Sequence, residues 1–462
     1  MRKPKAGLLP LYIKLYDDCN RKWRKPLEKF LGTVSRELRK RGIEVVAAPV
    51  CRVEGEFVSA LRSLEKSGPD AIITLHLAYS PSLESVKALS STRLPLVVLD
   101  TTPDFECGPE KSPDFIMNNH GIHGVQDMCN LLLRHGKPFI IEAGHWKDSD
   151  VLDRVVHHIR GAAVASALKR SRVGIIGKPF KGMGDFFVEP EKLKADLGVT
   201  VVAAEPAGVA ALLPDANDRA VTREMALDCK KFEREKVGED LHRQTLRASL
   251  ALRRWVEQEK LTAFSLNFQT VTKASGIPAM PFLEISKAMT RGIGYAGEGD
   301  VLTAALNGAV ASVFPETSFT EMFCPDWKGN RIFLSHMGEI NLNLAERKPF
   351  LFEKEWIFSN AQRPVVAAAA FRPGKAVFFN LAPQQEGYAL ILAPVEMVSE
   401  GKTEKFRETI RGWMKPASPV AEFLAAYSRA GGTHHAGLVY GDMLPALKSF
   451  GQMMNFKIVC ID

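Results

Sequence analysis

The 462 residues are 46% hydrophobic and 25% charged, the balance of an ordinary globular protein with room for two or three domains and a large core. The net charge of +8 does not single out nucleic acid as a partner, because bases and acids are interleaved, as in RKWRKPLEKF and CKKFEREKVGED. Seven scattered cysteines without CxxC spacing indicate neither a disulfide framework nor a thiolate zinc site, and no apolar run of about 18 residues calls for a membrane, so the chain reads as soluble and cytoplasmic.

In chain order, the strand-length runs AGLLPLYI, IEVVAAPV, DAIITLHL, PLVVLD and PFIIEAGH alternate with helical patterns such as LEKFLGTVSRELRKRG, GEFVSALRSLEKSG and GVQDMCNLLLRHG. That rhythm is the β-α-β pattern of a parallel sheet. It restarts near Arg170 with SRVGIIGKPF and GVTVVAAE, followed by charged amphipathic helices at about Ala216–Glu259 and a strand LTAFSLNF. Beyond Ser312 the runs RPVVAAAAFR, KAVFFNLAP and EGYALILAPVEMVS read as strands joined by turns rather than helices. The expected fold class is α/β: two Rossmann-like α/β domains with parallel sheets, residues 1–169 and 170–312, then a C-terminal antiparallel β-rich, barrel-like domain, residues 313–462.

The stretch Tyr295–Met337 concentrates acid and imidazole chemistry across that change of character. Glu298 stands between two glycines in GYAGEGD, which frees the backbone to bring the carboxylate to a ligand. Glu321 lies in ETSFTEMF and His336 in LSHMGEI, and AGGTHH adds His434 and His435. Two carboxylates with one or two imidazoles from separate segments suit a divalent cation with room left for substrate oxygens. Singly, each has a bland reading, Glu298 as a tight turn and Glu321 as a solvated helix residue. Together they lie in apolar segments, where a carboxylate is costly without a cation.

Other candidates carry less. GIIGKPFKGMGD follows a strand but has neither GxGxxG nor GxxxxGK[ST] spacing, so it does not read as a phosphate cradle. His120 and His123 share a side near a helix start, for capping, packing or substrate contact. His76 and His145 stand at strand ends, where parallel sheets keep their ligands. His135, His157, His158 and His242 have helical surroundings that suit packing or surface positions.

The motifs GIGYAGEGDVLTAAL, ETSFTEMF with GNRIFLSHM, and AGGTHH resemble those of L-arabinose isomerases, within the wider L-arabinose/L-fucose isomerase group. Weaker likeness runs through TLHLAYSPS, LPLVVLDTT, DFIMNNHGIHG and AGHWKD. The resemblance implies a Mn²⁺ site, with Co²⁺ or Mg²⁺ as substitutes, in which Glu298 and Glu321 are ligands and catalytic carboxylates and His336 and His435 are imidazole ligands. It assigns Met183 and Phe268 to the substrate lining, and puts Lys14, His120, His123 and His434 on the substrate side. It further implies a homo-oligomer, tetramer or hexamer, in which a neighbouring subunit's N-terminal domain closes each site on a small sugar.

The implied reaction is aldose–ketose isomerisation of a pentose or deoxyhexose-like sugar through an enediol. The alternatives are a metal-dependent lyase or epimerase using the same chemistry, or a catalytically silent sugar-binding protein. Departures from the family concern the substrate end. LPLYIKLYD places Ile13 and Lys14 where the family has glycine, serine and glutamine, position 120 is His rather than glutamine, Pro315 and Glu316 replace two glycines, and the family's C-terminal extension is absent. Lys14 suits a sugar with a different or acidic far end.

Overall fold

The structure is a computed structural model and describes residues 2–234, 237–399, 401 and 405–462. It divides into two compact units, Arg2–Ala163 and Val164–Asp462, with the boundary inside the helix Val151–Lys169.

The first unit is built on β1 (Lys5–Leu11), β2 (Glu44–Ala47), β3 (Ala71–His76), β4 (Leu96–Asp100) and β5 (Ile140–Ala143), all parallel in the order β2-β1-β3-β4-β5. Leu9, Leu11, Ile72, Leu96 and Val98 pack against Phe57, Leu61 and Leu64 of one helix and Val125, Met128 and Leu132 of another. The alternate residues Leu8, Ile73, Leu75, Val97 and Leu99 are equally buried. Burial on both faces explains why these strands read as continuous apolar runs. The first and third strands leave the sheet side by side, the place where such sheets bind ligands.

The second unit begins with β6 (Arg172–Ile176) and β7 (Thr200–Ala204), then β8 (Glu233–Arg234), β9 (Ala263–Leu266) and β10 (Gly294–Gly297). β10, β9, β6 and β7 form a parallel sheet in that order. The charged helices expected at 216–259 are Arg219–Lys231 and Glu239–Gln258. Next come β11 (Thr317–Asp326), β12 (Arg331–Ser335), β13 (Phe350–Glu353), β14 (Val365–Ala368), β15 (Gly374–Pro383), β16 (Tyr388–Val398), β17 (Gly412–Pro416), β18 (His435–Tyr440) and β19 (Lys457–Cys460).

β15, β18, β11, β12, β17 and β16 pair antiparallel in sequence, and β16 returns to β15, closing a six-stranded barrel. Ile332, Leu334, Phe378, Ala436 and Leu438 fill its interior. The turn-joined expectation for this region needs an addition, because the helices Val420–Arg429 and Leu444–Met453 interrupt it. The second of these is the crossover that lets β19 run parallel to β16, a pairing that no short turn can make.

The helix Val301–Val313 connects sheet and barrel and is buried on almost every side, in keeping with its apolar composition and lack of charged residues. It touches β6, β9 and β10 on one side and β11, β15 and β18 on the other. Gly308 permits that approach: a Cβ there would lie 2.8 Å from the Thr262 carbonyl, and one on Gly294 would lie 2.3 Å from the Gly308 nitrogen.

Candidate metal centre

Glu298 follows β10 at the carboxyl edge of the parallel sheet, and its N–H donates to the Leu266 carbonyl at 3.1 Å. Its φ is +63°, a left-handed conformation that costs a side-chain-bearing residue on the order of 1–3 kcal/mol. The turn is held from below by Ser265, whose hydroxyl donates to the Ala296 carbonyl at 2.7 Å and accepts from the Gly299 N–H at 2.9 Å. The flanking glycines have separate uses. Gly299 takes φ +90° against Pro179, whereas Gly297 leaves space for two imidazoles, since a Cβ there would stand 3.0 Å from His336 Cε1 and 3.6 Å from His435 Nε2.

The remaining donors come from the outer wall of the barrel. Glu321 is in strand β11, not in a helix, and is paired across the ladders with His435 on β18 and Ser335 on β12. His336 follows β12 directly. Strand alternation turns Ala436 and Leu438 into the barrel and His435 out of it, beside Glu321.

His435 is the shared member of two donor groups, Glu298 with His434 and Glu321 with His336, and within each group the donor atoms lie within 4.8 Å of one another. Glu321 Oε1 is 3.0 Å from His336 Nε2 and 3.1 Å from His435 Nε2, and Glu298 Oε2 is 3.6 Å from His435 Nε2. Donors at right angles on an ion, each about 2.1 Å from it, stand about 3 Å apart, so these spacings fit one shared cation. Glu298 Oε2 and His435 Nε2 are buried and make no hydrogen bond, so both are available to hold a cation.

Both imidazoles are oriented from behind by carboxylates that the sequence reading did not single out. Asp300 Oδ2 lies 3.0 Å from His435 Nδ1, while its other oxygen accepts from the Thr303 N–H at 2.8 Å. Glu339 Oε2 lies 2.6 Å from His336 Nδ1, and its other oxygen accepts from the Tyr295 hydroxyl at 2.9 Å. This carboxylate–imidazole arrangement leaves Nε2 of each ring pointing at the centre. Phe319 stands edge-on to both rings and Phe186 stacks on His435 at 5.2 Å.

The charges are strongly coupled. Burial pushes the Glu321 carboxyl up, but His336 and His435 beside it outweigh this and hold it well below the usual carboxylate range. Burial lowers His336 and His435, yet Glu339 and Glu321 around the first and Asp300 and Glu321 around the second raise both above an ordinary histidine. A cation seated here therefore displaces protons from the imidazoles.

The other expected residues are more dispersed. His434 Nε2 is 3.5 Å from Glu298 Oε2, and its Nδ1 is 2.7 Å from Asp185. Asp185 lies in the glycine-rich segment after β6, which thus takes part in the site. Phe268 follows β9 and packs with Phe180, Trp356 and Phe358. Met183 is half-buried in the same loop as Asp185.

Lys14, His120 and His123 belong to the other compact unit. Lys14 is exposed and its ammonium donates to Asp18 at 2.8 Å, so its charge is already paired. His120 Nε2 is 2.9 Å from the Tyr16 hydroxyl, and exposed His123 stands edge-on to it. His76 is buried at the end of β3 with neither ring nitrogen bonded, and His145 Nε2 is 3.3 Å from the Pro103 carbonyl. His242 is buried against Asp228 at 3.1 Å, a packing position.

Comparisons with known proteins agree with the motifs. Residues 194–314 match the family model of the L-arabinose isomerase central domain and residues 316–457 that of the L-arabinose isomerase C-terminal domain, together more than half of the chain. The L-arabinose isomerase of Herpetosiphon aurantiacus is 25% identical over 437 residues, covering 91% of this chain and 86% of the relative. L-arabinose isomerase 1 of Bacillus licheniformis is 27% identical over 433 residues, covering 91% and 85%. That of Nocardioides sp. is 25% identical over 439 residues, covering 91% and 86%. With two domain models matched in order and relatives aligned along most of its length, the chain belongs to the L-arabinose isomerase family as a divergent member, and so is a sugar isomerase.

Proposed function

We propose that the protein is a divalent-metal-dependent aldose–ketose isomerase acting on a pentose or deoxyhexose-like sugar through an enediol. What supports this above all is that two carboxylates, Glu298 from the sheet edge and Glu321 from the barrel wall, approach the same imidazole nitrogen, His435 Nε2. The reaction takes one proton from C2 and returns one at C1, and moves another between O2 and O1. We assign Glu298 and Glu321 to these transfers and, with His336 and His435, to the holding of Mn²⁺, Co²⁺ or Mg²⁺. When bound, such an ion supplies the Lewis acidity that stabilises charge developing on the two neighbouring sugar oxygens. Phe268, with Phe180 and Phe358, offers an apolar wall to the sugar's C–H face, with Met183 nearby and His434 facing its hydroxyls.

Lys14, His120 and His123 are assigned to the substrate site of a second copy in a tetramer or hexamer. Leu15, Leu83, Phe105, Ile116 and Ile122 of the same unit are exposed apolar side chains, which supports a partner surface there.

The test is proton NMR in D₂O on L-arabinose, L-fucose, D-galactose, D-arabinose, L-ribulose and an acidic sugar after incubation with Mn²⁺-loaded protein, the ion being removed before recording. Ketose signals or deuterium at C2 are expected with the parent, and loss of both with Glu298→Gln and with Glu321→Gln in folded protein. Sugar binding without any exchange across the panel would replace the isomerase reading with that of a silent sugar-binding protein.

A further inference from the structure

The segment from Lys178 to Val188 leaves the carboxyl end of β6 and has neither helix nor strand. It is tied to the sheet edge near its start, where the Asn267 side-chain amide donates to the Lys178 carbonyl at 2.8 Å and the Phe180 N–H donates to the Glu298 carbonyl at 2.8 Å. Toward its far end Phe186 stacks on His435. Between these anchors Lys181, Gly182 and Gly184 are exposed. What draws the middle of the segment to the barrel is Asp185: its Oδ2 lies 2.9 Å from the His434 backbone nitrogen and 2.7 Å from the His434 ring Nδ1.

The His434 ring needs that partner. Its side chain is 38% exposed, and its ring meets Phe186 and His435 at tilted angles, apolar contacts that do not themselves choose between the two flipped orientations of an imidazole. A flip would exchange Nδ1 for carbon and turn Nε2 away from Glu298, 3.5 Å distant.

We propose that Asp185 is a positioning residue, whose single carboxylate oxygen fixes both backbone and ring of His434 toward Glu298 and thereby straps the 178–188 segment across the site. Its kinetic consequence rests on the isomerase reading, whereas the strap does not. Glu298 then meets an imidazole set at a defined angle, and the sugar meets a closed wall in place of a loose loop.

The strap can be cut. Lys178 precedes Pro179 and resists trypsin, so Lys181 is the cleavable position in the exposed middle of the segment. In Asp185→Ala, cleavage after Lys181 is expected to accelerate at least about tenfold, with kcat lowered about 10- to 100-fold as for a misplaced catalytic-site group, and the metal content unchanged. Asp185→Asn retains an acceptor for the backbone N–H but not the charge that holds the ring, so it should stay close to the parent in trypsin resistance while losing kcat. If Asp185 acts through His434, Asp185→Ala on a His434→Ala background costs no further kcat. Parental cleavage of Asp185→Ala overturns the strap, and additive losses in the double variant overturn the positioning role. A parent that isomerises no sugar would refute the isomerase reading, and the proteolysis would still decide the strap.

Discussion

Gly297→Ala isolates the packing that brings two imidazoles beside a carboxylate. The backbone tolerates the change, since Gly297 is not among the residues with left-handed φ. The added methyl would stand 3.0 Å from His336 Cε1 and 3.2 Å from its Nε2. Carbon contacts relax at about 3.5–4.0 Å, so the ring must withdraw by roughly half an ångström. It has little room to do so, with Glu339 at 2.6 Å behind it and Phe319 edge-on at 4.8 Å. Metal bonds tolerate only about 0.2 Å, so we expect Mn²⁺ affinity to fall about 10- to 100-fold, the range seen when ligand orientation is disturbed. Metal-free stability should change by less than about 2 kcal/mol, because local overpacking is opposed by the smaller entropy of the unfolded alanine chain. Calorimetric titration of Mn²⁺ into chelator-stripped parent and variant, with urea unfolding of both, reads the two quantities separately. Parental Mn²⁺ affinity in the variant would show that His336 is no donor or that Gly297 is not there for clearance.

Asp300→Asn should weaken Mn²⁺ binding about 10- to 100-fold while Glu298 and Glu321 remain in place, and elemental analysis after dialysis against a graded series of chelator reads this; undiminished retention would remove Asp300 from ring orientation. Burial lowers the His76 pKa to about 3, with Asp127 opposing weakly. The unfolded residue titrates near 6.5, so this stability is complete above that pH and is lost as pH falls toward the folded value, amounting to about 3 kcal/mol by pH 4.5. His76→Leu should flatten that part of the pH profile in urea unfolding, without loss at pH 7 because no hydrogen bond is broken, and parallel profiles for parent and variant would refute it. Chelation should lower the thermal midpoint of the holo protein, since an ion held at a thousand times its Kd contributes about 4 kcal/mol; an unchanged midpoint by calorimetry would count against a tightly held ion.

The parts that were legible in the sequence are those where side-chain pattern and local structure coincide. The runs around Leu9, Ile73 and Val98 read as parallel strands because both faces are buried, and 219–258 reads as helices because one face is charged. Glu298, Glu321, His336 and His435 were named from motifs, and they lie together. The carboxylates behind the imidazoles were not named, although Asp300 is two residues past Glu298 and Glu339 three past His336. Closeness in sequence does not reveal where an oxygen points. Asp185 carried no signal at all, being 249 residues from the histidine it holds. Lys14 reads as suiting a sugar with a different or acidic far end, and the sequence spacing alone does not show that Asp18, one helical turn on, lies 2.8 Å from its ammonium. The helices near the C-terminus were missed because the strands before them set the expectation of turns.

Glu321 and His435 sit opposite each other on neighbouring antiparallel strands. Because strand side chains alternate, a slip of one residue along β11 would send Glu321 into the oily lumen beside Leu334 and Leu438, with His435 left facing the hydroxyl of Thr320 or the thioether of Met322. A misthreaded barrel could still bury much of its apolar surface, yet its wall would lack the carboxylate that Glu321 presents beside His435. On the proposed metal assignment, only correctly paired molecules can load, and loading withdraws them from the pool that can still rearrange.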